Sequence, residues 1–316
     1  MKKQVVKPVP FGQRPGPEPY NASELVAIDD SRFLFCDNNI GNALFELRLS
    51  HDAQMACPLI RHSIEGIDDG VIDDLEGMAI VEGYDPKFIL ALPSLSLKKR
   101  KKWQYHKRRK RGKLFPPRNG LVRIVAENNG IFRAEVLPDF RAWLIENARE
   151  LAKSSNYLPD DGGLNVEALG WNPVEQILQI GARTPVFKGK PLILRVHLKQ
   201  IDGPWDLNNL EPLPAVVLQI EDDSGKQGIR SIEYDKSRNA SLVVVGNSTS
   251  SSKASFRLYL WDGNESGKVT RISSIKFHKK MKVEGVARGT ISGRGAIVFV
   301  DDAGGYQAVW DDPPIH

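Results

Sequence analysis

The sequence predicts an all-β fold, a five-bladed β-propeller. Three observations carry this: short β-rich runs at regular spacing, a first-strand motif that recurs, and a last repeat that runs out of chain before its outer strand. The 316 residues are 41% hydrophobic and 26% charged, enough to bury a large core. The repeat makes residues 1–316 one domain, since closed all-β units often exceed the usual domain length.

The first strand of each unit has an acidic residue, two small or apolar residues, then Ala or Gly. Its copies are Glu24-Leu25-Val26-Ala27, Glu76-Gly77-Met78-Ala79, Glu167-Ala168-Leu169-Gly170, Arg230-Ser231-Ile232-Glu233 and Glu284-Gly285-Val286-Ala287. The fourth copy has Arg230 where the others have Glu. Second strands follow at Phe33–Phe35, Phe88–Leu90, Ile177–Ile180, Leu242–Val245 and Ala296–Val300, apolar on both faces as strands between packed sheets are. Third strands are expected at Leu44–Leu47, Leu121–Ile124, Leu192–Arg195, Leu258–Trp261 and Tyr306–Val309. Outer strands are expected at Met55–Ile60, Phe132–Leu137, Val216–Ile220 and Val269–Ile275. The fifth unit lacks one, and the N-terminal segment near residues 5–9 is predicted to close the last blade. Its prolines suit only an edge strand.

Helical periodicity occurs once, over Asp139–Lys153, where Phe140, Leu144, Ala148 and Leu151 share a face. A sixth blade formed between Gly120 and Lys153 stays open as an alternative. Prolines interrupt the N-terminus before a signal-peptide core forms, and no run reaches membrane-spanning length. Cys36 and Cys57 are the only cysteines, too few for a disulfide scaffold. A reduced, cytoplasmic setting without membrane contact is expected.

The net charge of +5 has one source. Eleven of the 44 Lys and Arg lie in the segment Lys98–Lys113, and without them the balance is 33 against 39 acids. An acidic body therefore carries one basic loop, inserted between the second and third strands of the second unit. Its Trp103, Tyr105 and His106 among cations suit phosphate contacts and base stacking, which makes nucleic acid one partner to weigh. A merely solvated loop is the competing reading, and no base-reading fold accompanies the segment.

In a propeller the first strands line a central channel, and the turns entering them share a rim with the turns leaving the second strands. Asp73, Asp74 and Asn165 fall before first strands. Asp37-Asn38-Asn39, Ser94, Arg183, Asn247 and Asp301-Asp302 fall after second strands. With Glu24, Glu76, Glu167, Arg230 and Glu284 just inside, the channel mouth is a polar funnel. Glu76, Asn165, Glu167, Arg183, Arg230, Glu284 and Asp301 are the candidate ligand contacts, and Asp74, Glu76, Glu167 and Glu284 are hard oxygen donors of the kind that bind Ca²⁺. Converging carboxylates also raise one another's pKa, which acid–base chemistry can use. The competing role for these acids is structural, as tethers to the backbone of the next blade. The chain contains no Walker loop, no G-x-S-x-G elbow and no H-E-x-x-H. Its six histidines are scattered, and Ser94, Ser96 and Ser248–Ser252 have no histidine partner legible in the sequence.

Several stretches resemble a bacterial family, domain of unknown function 3616, which is similar to phytase-like esterase propellers. They are Asp74-Leu75-Glu76-Gly77-Met78-Ala79, the run from Asp161 to Leu169, Gly181-Ala182-Arg183-Thr184-Pro185-Val186, Gly228-Ile229-Arg230, and Val283–Ala287 with Val300-Asp301-Asp302. The resemblance spans most of the chain and implies a propeller. The phytase-like comparison implies phosphoester hydrolysis assisted by Ca²⁺. One departure stands out: relatives have a Gly-Ser-His-Ser-like turn before the basic loop, where this chain has Pro93-Ser94-Leu95-Ser96.

Two functions follow as expectations. One is a channel-mouth site for a polar or phosphorylated ligand, hydrolysed with a metal held by the acids and clamped by Arg183 and Arg230. The other is a non-enzymatic interaction module that holds a protein or nucleic acid through the basic loop.

Overall fold

Hairpin turns divide the chain into meanders. In the computed structural model, which describes residues 4–12, 19–67, 70–82, 87–99, 113–127, 130–221 and 226–311, the protein is mostly β with one α-helix. Two short strands come first, β1 (Gln4–Val6) and β2 (Val9–Pro10). The first meander is β3 (Ala22–Asp29), β4 (Arg32–Asp37), β5 (Ile40–Arg48) and β6 (Ile60–Glu65), and the second is β7 (Leu75–Val81), β8 (Phe88–Pro93), β9 (Leu121–Ala126) and β10 (Phe132–Leu137). Helix α1 (Phe140–Asn147) leads to the third: β11 (Asn165–Asn172), β12 (Ile177–Phe187), β13 (Lys190–Leu198) and β14 (Leu210–Val217). The fourth is β15 (Gln227–Asp235), β16 (Ala240–Asn247), β17 (Arg257–Trp261) and β18 (Thr270–Arg271). After β19 (Ile275–Phe277), the fifth is β20 (Val283–Ile291), β21 (Arg294–Asp301) and β22 (Gly305–Trp310). Two of the tight turns show why their sequences suit them. Lys188-Gly189 and Ser292-Gly293 both take positive φ at both positions, the geometry that matches strand twist and needs Gly at the second.

Neighbouring meanders share cores. Buried apolar side chains cluster between the first and second sheets, the second and third, the third and fourth, the fourth and fifth, and the fifth and first. The second strands β8, β16 and β21 lie in the middle of these layers, which explains their unbroken apolar runs. The first and second sheets also join edge to edge. There β6 and β10 pair in parallel, Ile64 opposite Phe132, giving one eight-stranded sheet.

The N-terminal segment divides its pairing. Val9-Pro10 lies antiparallel to β22 and supplies the fourth strand of the fifth sheet, whereas Gln4–Val6 pairs in parallel with β19. Pro8 separates the two pairings because it offers no backbone N–H. Helix α1 is shorter than the periodicity predicts. Ala148 is extended (φ −115°, ψ 97°), and Arg149–Leu151 form a 3₁₀ turn that brings Leu151 into the core beside Phe140 and Leu144. The first outer strand begins at Ile60, later than the sequence implies. Residues 50–54 are held in a turn, Ala53 at φ 62°, and Met55 N–H donates to the Tyr306 hydroxyl at 2.8 Å instead of to a strand. The stretch Gly120–Lys153 completes the second sheet with β9 and β10 and then becomes helical; among the described residues it forms no sheet of its own. Residues 100–112 of the basic loop lie outside the described residues. Its stem is seen as an antiparallel bridge between Lys98 and Lys113. No helix is long and apolar enough to cross a membrane among the described residues.

Candidate functional site

Every first strand carries a β-bulge at the same place. The ladder skips one residue between Ser23 and Leu25, Leu75 and Gly77, Val166 and Ala168, Ile229 and Ser231, and Val283 and Gly285. The skipped residues are Glu24, Glu76, Glu167, Arg230 and Glu284. A bulge frees a residue from pairing and re-aims its side chain, so the repeated motif is a device for turning five long polar side chains out of the sheets. Close approach explains the glycines that follow two of them. A Cβ on Gly77 would sit 2.9 Å from Leu169 N, and one on Gly285 would sit 2.8 Å from Leu25 N.

Four of the five bulged residues wall one inner cavity of about 230 Å³, with Arg183, Asn21, Asn38, Asn247 and Lys282. Glu167 is its centre. Its Oε1 accepts from Arg183 Nη1 at 2.7 Å and from Asn165 Nδ2 at 2.7 Å, and its Oε2 lies 3.3 Å from Arg230 Nη1. Arg230 also donates through Nη2 to Glu284 Oε1. Ser23 Oγ donates to Glu76 Oε2 at 2.9 Å.

These buried acids do not share one charge state. Burial would raise Glu167, but the charges of Arg230 and Arg183 bring it below the usual carboxylate range. Glu76 has no such cation; burial, then the charges of Glu167, Asp74 and Glu284, push it well above that range. Glu284 is pushed up to about 8, chiefly by burial, which its contact with Arg230 only partly offsets. The two guanidinium groups thus favour the ionised form of Glu167, whereas burial favours the protonated forms of Glu76 and Glu284.

An outer cavity of about 450 Å³ shares Glu76, Glu167, Arg183 and Ser250 with the inner one. Its far wall is built on Arg118, which reaches Asp74 Oδ2 and Ser96 Oγ, both at 2.7 Å, and Asp73 Oδ2 at 2.6 Å. Lys98 Nζ adds a contact to Asp73 at 3.0 Å. Burial raises Asp74. Arg118 and Lys98 hold Asp73 low although burial alone would raise it. Arg118 was not legible in the sequence because it belongs to the turn Pro116–Gly120, at no repeat position. Ser23 and Asn21 had only their place beside a first-strand acid to mark them.

Two acids expected at the mouth are tethers. Glu24 is fully buried and lines neither cavity. It accepts from Ser231 Oγ and from Leu169 N at 3.4 Å, and Ser231 Oγ in turn accepts from Val286 N at 2.9 Å, which ties β3, β11, β15 and β20 together. Its φ of 38° turns it away from the direction its counterparts take. Asp301 accepts from Lys282 N at 2.8 Å and Ala303 N at 2.9 Å, as Asp37 does from Asn21 N at 3.1 Å and Asn39 N at 2.9 Å. Both aspartates fasten the turn after a second strand to the entry of the first, and the neighbouring Asp302 faces the inner cavity instead. Beyond Glu24, a third cavity of about 420 Å³ opens at the other ends of the first strands, lined by Val26, Ile80, Glu233 and Gly289 among others.

The donor set does not fit Ca²⁺. Among the described residues no three His, Cys, Asp or Glu groups stand together as metal ligands do. The four expected ligands are committed elsewhere: Asp74 to Arg118, Glu76 to Ser23, and Glu167 and Glu284 to arginines. Guanidinium groups occupy the positions between the carboxyls that a dication would need.

No protein-family model matches the sequence, and no curated protein matches it. Among solved structures, the chain is similar to the major allergen Mala s 1 of Malassezia sympodialis at 10% identity, covering 99% of this chain and 83% of that one, with a TM-score of 0.43. It is also similar to a chain of a nidogen/laminin complex at 13% identity, covering 90% and 73%, with a TM-score of 0.39.

Proposed function

We propose that the five sheets are blades of a five-bladed propeller and that the joined cavities at one end of it bind a small anionic ligand. The five cores between successive sheets, with the last between fifth and first, support the propeller reading. The binding reading is carried by Arg230. Its buried guanidinium lines the inner cavity together with that of Arg183, and the two flank the carboxylate of Glu167. An anion entering there meets Arg230 and Arg183 away from bulk water, where charge-assisted hydrogen bonds are strong. Neutral Glu76 and Glu284 donate to such a ligand instead of repelling it. Hydrolysis of a phosphoester is a narrower form of this reading, supported by the opposed shifts of Glu76 and Glu167, which set a proton donor beside a proton acceptor. No metal enters it.

The test uses Arg183→Gln, because Arg183 is partly exposed and its loss spares the buried Arg230 pairings. A panel of small anions, including inorganic phosphate and gluconate, is titrated calorimetrically at pH 6 into both proteins. At least one anion is expected to bind the wild type, with affinity falling about tenfold or more in the variant, the worth of one charge-assisted hydrogen bond. Equal affinity in the two proteins, or no binding to either, refutes the proposal.

A further inference from the structure

The third cavity, at the other ends of the first strands, contains a carboxyl that no bond in the fold explains. Glu233 lies on β15, three residues past the bulged Arg230. The same place is taken by Ala27, Ala79, Gly170 and Ala287 in the other first strands. Small residues suit it because neighbouring sheets approach closely there: a Cβ on Gly170 would sit 2.6 Å from Ile232 Cγ2. Glu233 departs from that pattern and lines the cavity, half-buried, with neither a hydrogen bond nor an ion pair among the described residues. A carboxyl drawn out of water without a partner costs free energy and ties nothing together, so a ligand accounts for it better than the fold does.

The rest of the wall narrows the ligand. The other four acids that line the cavity among the described residues are engaged: Asp29 with Arg32 at 2.7 Å, Asp30 with Gly293 N–H at 3.1 Å, Glu82 with Lys236, and Asp235 with Arg238. Its two cations are engaged as well, Lys236 with Glu82 and Arg288 with Asp311 at 3.0 Å. Neither is left over to hold an anion, whereas Glu233 is left over for a cation. Val26, Ile28, Ile80 and Trp171 make much of the lining apolar, which suits an organic body better than a hydrated metal ion. At about 420 Å³ the cavity is of small-molecule size, within the usual range of roughly 300–1,000 Å³.

We infer that this cavity binds an organic ammonium ion with an apolar body, Glu233 taking the ammonium group and Val26, Ile28, Ile80 and Trp171 the body. Burial, and then the charges of Glu82 and Asp235, raise Glu233 well above the usual carboxylate range, and Lys236 offsets this only in part. The other ionisable groups that face Glu233 or its cavity are Glu24 on β3, Asp29 and Asp30 at the end of β3, and Arg288 on β20. An ammonium ion supplies the counter-charge that these surroundings lack and displaces the proton to solvent, so its binding strengthens as pH rises.

Calorimetric titration at pH 8 compares phenethylamine with three relatives: 2-phenylethanol, which keeps the body without charge, 3-phenylpropionate, which reverses the charge, and methylammonium, which lacks the body. Phenethylamine is expected to bind at least about tenfold more tightly than each. Its affinity should fall when the wild type is moved to pH 6. Glu233→Gln removes no bond, so its urea midpoint at pH 8 should match or exceed that of the wild type; phenethylamine should weaken about tenfold in it while 2-phenylethanol is unmoved. Binding of 2-phenylethanol, 3-phenylpropionate or methylammonium as tight as that of phenethylamine overturns the inference. So does equal affinity of the two proteins for phenethylamine, or no binding at all. Because Arg183 and Arg230 line the other cavities, none of these results bears on the small-anion reading.

Discussion

Glu284 illustrates how one residue couples the site to the stability of the fold. Its folded pKa of about 8 lies far above that of an unfolded carboxyl, because burial outweighs the help from Arg230. The native state therefore keeps a proton that the unfolded chain releases. Its contribution to stability is complete below the ordinary carboxylate range and is lost as pH rises from there through about 8. Urea midpoints are expected to fall between pH 5 and pH 8.5, and Glu284→Gln, which stays neutral, should flatten that fall; an unchanged slope would refute the assignment. Glu76 and Glu24 push in the same direction, so the slope should shrink without vanishing. Anion binding should follow the same trend, since a carboxylate at position 284 repels what the acid welcomes.

At the scale of the element, the bulged first strand is the unit that repeats. Its acid was legible because it recurs at a fixed offset from the apolar run, and the one Arg substitution proved to be the cation its neighbours surround. What each acid touches was not legible. Glu24 and Glu76 share a motif, yet the positive φ of Glu24 sends it to Ser231 while Glu76 meets Ser23. Asp301 reads as a ligand in one dimension and serves as a turn fastener in three. Outer strands were the least legible elements, because half-exposed edges carry little apolar signal and yield to turns such as residues 50–54. The glycine after the bulge offers a direct test. A methyl at Gly285 would meet backbone of β3 at 2.8 Å and Val300 Cγ2 at 2.6 Å, and backbone cannot step aside. Gly285→Ala is expected to cost about 1–3 kcal/mol, read from the urea midpoint. Gly293→Ala, with open space around it, tests positive φ alone and should cost less.

For the whole molecule, the N-terminal segment matters beyond its length. Phe11 stacks on Phe35 of the first sheet at 5.0 Å and on Tyr306 of the fifth at 5.8 Å, directly after β2 has paired with β22. One aromatic ring thus joins the first and last sheets of the chain, a contact between residues almost 300 apart in sequence. Phe11→Ala is expected to destabilise the protein by about 3–5 kcal/mol in chemical denaturation. A loss below 1 kcal/mol would mean that the other aromatic and strand contacts hold this seam without it.

The knot of bonds around Glu24 lies where two separate chambers come nearest along β3. Along β3, Ser23 lines the inner chamber and Val26 the chamber at the far end, and between them in sequence the buried Glu24 is bonded to Ser231. Among the described residues the two chambers have no lining residue in common, so a solute in either one meets its own set of side chains.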